Sequence, residues 1–199
     1  MNALQLFQAS KLAEAVQALN AELRDNPTDT KRRIFLFELL CFAGDYERAE
    51  KQLGVLAQGG ASAEMGTLLY RGALQAERTR QEMFAKREYP PPVPEQPPVS
   101  GRLNGKSFES LEDADWRLGA KLEVFAAGRY LWLPLEHVAS IQIAPPRRLR
   151  DLLWIPALVR TGPAFQDREL GEVLLPALSP LTWQHADDAV RLGRATVWE

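Results

Sequence analysis

Two segments of the chain repeat each other at a distance of 34 residues. The aligned pairs place a small alanine between two larger apolar side chains, and they are Leu12 and Tyr46, Ala15 and Ala49, and Leu19 and Leu53. This distance is the period of the tetratricopeptide repeat, in which a helix, a tight turn and a second helix form one unit. Such repeats usually present a surface to another protein. The sequence therefore predicts a tetratricopeptide-like helical domain with a binding role.

Apolar residues continue to recur at helical spacing through the first 88 residues. Helix-stopping pairs interrupt the pattern at Asn26-Pro27, Gly44-Asp45 and Gly59-Gly60. The predicted helices span 2–9, 12–25, 29–43, the stretch from the Gly44-Asp45 turn to about Gln58, and 62–87. The third of these is apolar on all sides, so we expect it at the centre of the helical domain.

Residues 90–98 hold six of the fourteen prolines. Proline-rich chains favour an extended polyproline II conformation and bury no core of their own. The sequence therefore predicts a helical domain at 1–88, a linker at 89–99 and a second domain at 100–199. A plain spacer is favoured over the alternative, a ligand for an aromatic-lined groove.

The period changes to that of β-strands after the proline-rich segment. Asn104-Gly105 predicts a tight hairpin, and later strands are predicted at 121–127, 129–135, 138–143, 155–160 and 169–175. Short strands separated by glycine and proline are typical of a strongly bent sheet or a small barrel. The fold class is therefore predicted to be α+β. Much of the second core is expected to come from tryptophans, namely Trp116, Trp132, Trp154, Trp183 and Trp198.

The chain is not polycationic, since its formal net charge is −2 and each half carries similar numbers of basic and acidic residues. Nonspecific binding to nucleic acid or to an anionic membrane is therefore not expected. One cysteine rules out a disulfide framework. No apolar run approaches the roughly 20 residues of a membrane span, and the N-terminus lacks the pattern of a signal segment. These features predict a cytoplasmic protein without a membrane partner.

Residues suited to catalysis are few. Cys41 lies within the most apolar helix, where a buried and inert thiol is expected. His137 and His185 are far apart and neither has the spacing of a metal ligand. Neither a glycine-rich phosphate loop nor a nucleophile elbow is present. The sequence predicts a protein that is not an enzyme and has no cofactor or metal.

One acidic cluster, Glu112-Asp113-Ala114-Asp115, offers the alternative of a metal-dependent enzyme. Paired carboxylates can bind a divalent cation or transfer protons. More often they cap a turn or pair with arginines, and Arg117 and Arg150 are the candidates here. The structural role is therefore favoured.

Two basic clusters need an explanation. Lys31-Arg32-Arg33 lies in the first turn of a helix, where positive charge opposes the macrodipole and requires acidic neighbours or an acidic partner. Arg147, Arg148 and Arg150 follow a proline pair. Together with nearby tryptophans they suggest the alternative of a nucleic-acid-binding module, although the balanced overall charge favours a solvated or ion-paired loop.

A series of motifs in a fixed order covers most of the chain outside the proline-rich segment. In the first half the motif is the stretch 32–45; in the second half the motifs are Phe108, 113–115, 122–124, 130–134, 150–154, Pro156-Ala157, 174–178 and 191–198. In this order the motifs resemble those of the ImpE/TagJ family, accessory proteins of bacterial type VI secretion systems. The chain departs from the family where a longer helical stretch usually precedes the β region, and it has Val197 where aspartate is common.

The resemblance implies a non-enzymatic adaptor that binds the N-terminal helix of the small subunit of the contractile sheath. It also implies a role in sheath handling or disassembly, close to the AAA+ ATPase that acts on contracted sheaths. An amphipathic helix can dock in the groove of a repeat-like domain. The candidate partner-binding residues lie at the rim of the third and fifth helices, on the aromatic face of the second domain or in its basic loop, and they are Phe35, Leu39, Tyr70, Trp132, Trp154 and Arg150. The alternative for most of these side chains, burial in the core, is favoured.

Overall fold

The computed structural model describes residues 1–90, 98–111, 113–162 and 169–197. Most of the predicted linker (91–97), Glu112 and Trp198 lie outside the described residues. The helices of the first part agree with the predicted spans, and they are α1 (Ala3–Gln8), α2 (Leu12–Asp25), α3 (Thr30–Phe42), α4 (Tyr46–Ala57) and α5 (Ala61–Lys86). Each of them packs against the next in chain order. Their assignment to the tetratricopeptide class stays a prediction.

Polar side chains fix where these helices begin. Asn2 precedes α1, Asp29 precedes α3 and Asp45 precedes α4, and each side chain accepts a hydrogen bond from the N–H three residues later. Asp29 and Glu22 also form ion pairs with Arg32. The positive charge at the start of α3 is therefore offset by acidic neighbours within the protein, one of the two explanations that the sequence left open.

The second part of the chain is a sheet region that ends in a short helix. Its elements are β1 (Gly101–Leu103), β2 (Lys106–Phe108), β3 (Lys121–Ala126), β4 (Arg129–Pro134), β5 (Val138–Ile143), β6 (Trp154–Thr161), β7 (Glu169–Pro176) and α6 (Asp188–Arg191). The turn between β1 and β2 has positive φ angles of 50° at Asn104 and 82° at Gly105, which confirms the predicted hairpin. The other five strands form one antiparallel sheet in the order β4-β3-β7-β6-β5.

Of the two forms predicted for the strands, a bent sheet or a barrel, the barrel is not formed by the part of the chain that the structure describes. Strands β4 and β5 lie at opposite edges of the five-stranded sheet, and each pairs with a single neighbouring strand. A barrel would need these two edges to meet. One face of the sheet is instead covered by the helices, so the sheet buries its apolar side chains without closing on itself.

The helices and the sheet share the larger of two apolar cores. Phe125, Trp154 and Leu174 point from the sheet into a cluster made mostly of residues from the helices. The other face of the sheet carries a smaller cluster that includes Val124 and Val159. The two regions therefore pack together, whereas the division of the chain into domains at 88 and 100 stays a prediction.

The tryptophans contribute less to the core than the sequence suggests. Trp154 is buried with 2% of its surface exposed, but Trp116 is 71% exposed. Trp132 and Trp183 are half-buried. The expectation of core tryptophans is therefore wrong for Trp116, which lies in the turn-rich segment between β2 and β3.

The C-terminal segment ties the sheet region to the first two helices. The Asp188 carboxylate accepts a hydrogen bond of 2.7 Å from the backbone N–H of Leu12, the first residue of α2. Arg194 donates to the carbonyl oxygen of Phe7 at 2.6 Å, and its guanidinium lies 4.3 Å from the centre of the Phe7 ring. A carboxylate from the far end of the chain thus provides the cap that Lys11, the residue before α2, does not supply.

The protein with Asp188→Ala is expected to lose about 1–2 kcal/mol of unfolding free energy, because α2 loses its capping carboxylate. Urea denaturation followed by circular dichroism measures this loss. The matched control is Asp25→Ala, since Asp25 is exposed in the last turn of α2. Equal stability of the two variants would show that the long-range cap contributes nothing.

Candidate partner-binding site

The space between α3 and α5 is filled by the chain's own Trp154. The Trp154 ring stacks on Tyr70 of α5, with ring centres 6.3 Å apart and planes inclined by 28°. Its centre lies 6.4 Å from that of Phe37 on α3. A ligand helix would need this same space in an open repeat groove. The groove between these two helices is therefore occupied from within the molecule.

Arg150 closes the same space beside Trp154. It forms an ion pair of 2.8 Å with Glu38 of α3, and its guanidinium lies 4.6 Å from the centre of the Tyr70 ring. Burial raises the pKa of Glu38, and the ion pair with Arg150 partly opposes this effect. Arg150 is thus used for internal packing, which confirms an ion-paired residue in this loop.

The other two arginines of the loop are placed by their backbone. The N–H groups of Arg147 and Arg148 both donate to one carboxylate oxygen of Asp151, at 2.8 and 3.0 Å. Their side chains are exposed. With Arg150 turned inward, the loop lacks the three-arginine surface on which the nucleic-acid alternative depends, and no other observation supports that alternative.

A buried cluster of charges joins α5 to the sheet. The Arg80 guanidinium binds both carboxylate oxygens of Glu123 on β3, at 2.7 and 2.8 Å, and approaches Glu77 at 3.4 Å. It also donates to the carbonyl oxygen of Leu178 at 3.0 Å. Burial lowers the pKa of Arg80, but the hydrogen bond to Glu123 and the two carboxylate charges outweigh it and raise the pKa above its ordinary value.

Aromatic side chains complete the hydrogen bonds of these buried carboxylates. The indole N–H of Trp154 donates to Glu77 at 2.9 Å, and the hydroxyl of Tyr130 donates to Glu123 at 2.5 Å. Trp132 in turn donates to the Tyr130 oxygen. Burial and the charge of Glu123 raise the pKa of Tyr130, so its hydroxyl remains a donor at neutral pH. The cluster is therefore satisfied internally and has a structural role.

The predicted partner-binding residues do not form one exposed surface. Leu39 and Trp154 are buried in the larger core. Phe35 is half-buried against Phe7, with ring centres 5.6 Å apart. Tyr70 and Trp132, both half-buried, lie on different elements and contact different neighbours. A partner would reach only the edges of Phe35, Tyr70 and Trp132 in the described conformation.

A row of exposed large apolar side chains lies on the first half of α5. Met65, Leu68 and Leu69 are 71%, 53% and 54% exposed, and their spacing places them on one face of the helix. Further along this side of α5, Ala76 is buried. We call Met65, Leu68 and Leu69 the α5 overhang.

An apolar cleft adjoins the α5 overhang. Gly72 of α5 packs directly on Gly128 in the turn between β3 and β4; a Cβ atom added to Gly72 would lie 3.2 Å from the Cα atom of Gly128. Gly128 has a positive φ of 77°, which suits this tight turn. Phe125 and Leu174 line the cleft together with the leucines of the overhang, and its volume is about 200 Å³. An apolar surface and a neighbouring cleft are therefore continuous here.

The sequence gives the α5 overhang no special mark. Met65, Leu68 and Leu69 have the spacing of a core-facing stripe, and burial is the usual fate of such a stripe. Their exposure depends on which residues pack against this face of α5, and that is decided by contacts distant in the chain. The helical spacing alone could identify them only as candidates.

The acidic cluster takes the structural role that the sequence favoured. Asp115 forms an ion pair with Arg117 at 2.5 Å and accepts the backbone N–H of the same residue at 3.0 Å. Asp113 accepts a hydrogen bond from the N–H of Asp115 at 2.8 Å.

The single cysteine is buried in α3. Burial raises the pKa of Cys41 well above its ordinary value, so its thiol stays protonated. Within the described residues no three His, Cys, Asp or Glu side chains come together as metal ligands would.

The helices within the described ranges include none that is long and apolar enough to span a membrane.

Comparison with known proteins gives a consistent result. The model of the ImpE protein family matches residues 105–199. The type VI secretion system accessory component TagJ of Pseudomonas aeruginosa is 36% identical over 234 aligned positions, which cover 100% of this chain and 81% of the relative. Because the alignment is longer than the 199 residues of this chain, TagJ contains segments that the chain lacks.

A solved structure shows the same fold. The crystal structure of protein VPA1032 from Vibrio parahaemolyticus superimposes with a TM-score of 0.83, covering 99% of this chain and 84% of that one, at 22% identity. The helical part, the open sheet and their packing are thus shared with a protein of low sequence identity. The similarity to TagJ covers the whole of this chain, and the ImpE model matches its second half. The chain therefore belongs to the ImpE/TagJ family of type VI secretion accessory proteins.

Proposed function

We propose that the protein is a non-enzymatic adaptor of a type VI secretion system that binds the N-terminal helix of the sheath small subunit. It assists sheath handling or disassembly in this role, and it meets the sheath-disassembling AAA+ ATPase only indirectly. The observation that carries the proposal is the 36% identity to TagJ over 100% of this chain. The buried charge cluster, whose groups are satisfied internally, is consistent with a role without catalysis.

The α5 overhang and its cleft suit a helical ligand. A docking helix presents apolar side chains at positions i, i+3, i+4 and i+7. Met65, Leu68 and Leu69 offer an exposed apolar row for such a stripe, and the cleft beside Gly72 can receive one anchoring side chain. Because the side chains of the α5 overhang are about half to two thirds exposed, burying the exposed part would contribute roughly 1–2 kcal/mol for each before the cost of association.

The double variant Leu68→Glu/Leu69→Glu is expected to weaken binding of the sheath helix by at least about tenfold, because two charges would be buried against its apolar face. Titration calorimetry with a synthetic peptide of that helix, taken from the same genome, measures the dissociation constant. The matched control is Leu103→Glu, since Leu103 is 68% exposed on the β1–β2 hairpin and does not line the cleft.

The two possible failures have different meanings. If the unmodified protein shows no saturable one-to-one binding of the peptide, the proposed adaptor function is wrong. If the unmodified protein binds and the double variant binds equally well, the function stands but the partner uses another surface. A loss of binding in the Leu103→Glu control as well would point to general damage by a surface charge.

A further inference from the structure

The edge strand β5 is open on one side. Among the described strands it pairs only with β6, from Val138 opposite Thr161 to Ile143 opposite Ala157. Within the described ranges, no further strand pairs with the backbone N–H and C=O groups on its other side, which is the arrangement that strand addition requires. Two of its side chains, Ile141 and Ile143, are 36% and 55% exposed. An apolar edge of this kind is a usual template for strand addition.

The smaller core reaches β5 without being covered there. Residues directly opposite each other in an antiparallel pair lie on the same face of the sheet. Ile141 lies opposite Val159 and Ile143 opposite Ala157, and these two partners are 0% and 4% exposed. The isoleucines thus continue a buried apolar row to the edge of the sheet. An additional strand with apolar side chains on this face would complete that row.

An apolar groove lies at the end of the same strand. It has a volume of about 280 Å³ and is lined by Asp151 and by mostly apolar residues that include Ile143, Leu152, Ile155, Leu178 and Leu192. Leu152 is 46% exposed at its border. A segment that pairs with β5 and continues past Ile143 would therefore meet a second apolar surface, in the direction of the loop that follows β5.

This loop gives the surface a positive charge. No acidic residue occurs from Val138 to Arg150, although the whole chain has a net charge of −2. The side chains of Arg147 and Arg148 are exposed, and the nearby Asp151 carboxylate is engaged by their backbone N–H groups. Electrostatic complementarity therefore favours a ligand that carries carboxylates.

We propose that β5 and its adjoining groove bind an extended peptide segment in which apolar and acidic residues alternate. The segment adds to the sheet as a further strand, its apolar side chains cover Ile141 and Ile143, and its carboxylates meet Arg147 and Arg148. This inference goes beyond the proposed sheath contact and does not depend on it.

The location of this surface suits a bridging protein. The α5 overhang adjoins the turn between β3 and β4, at one edge of the sheet, whereas β5 forms the opposite edge. Four strand spacings separate the two edges, or roughly 19 Å of sheet width. A helix on the first surface and an extended segment on the second would not overlap, so one molecule could hold both partners at once.

Fluorescence anisotropy with a short labelled peptide, in which valine alternates with glutamate, tests the proposal. We expect saturable binding that weakens by about tenfold in the variant Arg147→Glu/Arg148→Glu, because charge reversal removes the electrostatic attraction. A similar loss is expected for Ile141→Ser/Ile143→Ser. Hydrogen exchange of the Val138–Ile143 amides should slow when the peptide is bound, as strand addition requires.

Matched controls make each outcome decisive. A peptide with lysine in place of glutamate should bind much more weakly, and the variants Leu103→Ser and Leu68→Glu/Leu69→Glu should bind the glutamate peptide normally. The proposal is overturned if the glutamate peptide does not bind, if the lysine peptide binds equally well, or if exchange at β5 does not change. The Leu68→Glu/Leu69→Glu result separates this surface from the sheath contact.

Discussion

Replacing Arg80 by alanine is expected to destabilise the protein by about 3–5 kcal/mol. The variant leaves two carboxylates, Glu77 and Glu123, facing each other in the interior with no cation between them. A buried charge without a partner costs far more than an exposed one. Since the total stability of a domain is typically about 5–15 kcal/mol, a large part of it would be lost. Chemical denaturation followed by tryptophan fluorescence measures the change.

A neighbouring arginine on the same helix provides the control. Arg78 pairs with Glu50 at 2.8 Å, and the two side chains are 32% and 50% exposed, so Arg78→Ala is expected to cost at most about 1 kcal/mol. The triple variant Arg80→Met/Glu77→Gln/Glu123→Gln removes all three charges and should recover most of the loss. If Arg80→Ala were no more harmful than Arg78→Ala, the buried cluster would not have the energetic role assigned to it.

The helices and strands could be predicted because local rules determine them. Asn26-Pro27 ends α2, and Asn104-Gly105 forms the tight hairpin turn. The side chains of Asp29 and Asp45 fix the beginnings of two helices. Each of these features depends on residues a few positions apart in the chain, so the sequence alone places the element boundaries within a few residues.

The closure of the sheet could not be predicted because it depends on contacts distant in the chain. A barrel and an open sheet have the same alternation of apolar residues along their strands. Here α5 lies against one face of the sheet, and Phe125 and Leu174 pack into the core shared with the helices. The sequence pattern of the strands does not indicate which other element packs against their apolar face.

The candidate site was predictable only in part, for a related reason. Arg80 and Glu77 lie in the charged half of α5, where a solvated surface is the usual expectation. Their burial requires Glu123, which is 43 residues away from Arg80. Conversely, Leu68 has the helical spacing expected of a core residue, but its side chain is 53% exposed. Family resemblance identified the kind of protein, whereas these positions depend on how α5 lies across the sheet.

The same long-range packing gives Trp154 its importance. Its ring lies between α3 and α5, and its indole N–H satisfies Glu77 of the buried charge cluster. Trp154→Ala is therefore expected to cost about 3–5 kcal/mol for the lost packing, with roughly 1–3 kcal/mol more for the unsatisfied carboxylate. Trp154→Phe keeps an aromatic ring and loses the N–H donor, so it should show mainly the smaller of these two costs.

Thermal and urea denaturation measure the stability of the two Trp154 variants. The control is Trp116→Ala, and comparing the three losses estimates how much stability comes from packing and how much from hydrogen bonding. Trp116 is 71% exposed and its ring contacts Tyr89, so its replacement is expected to change stability by less than about 0.5 kcal/mol. If Trp154→Ala were as mild as Trp116→Ala, helices and sheet would not depend on this ring to pack together. If Trp154→Phe were as harmful as Trp154→Ala, the N–H and the second ring of the indole would account for the loss, and a double-mutant cycle with Arg80→Ala would then test whether Arg80 and Trp154 stabilise the protein as one coupled unit.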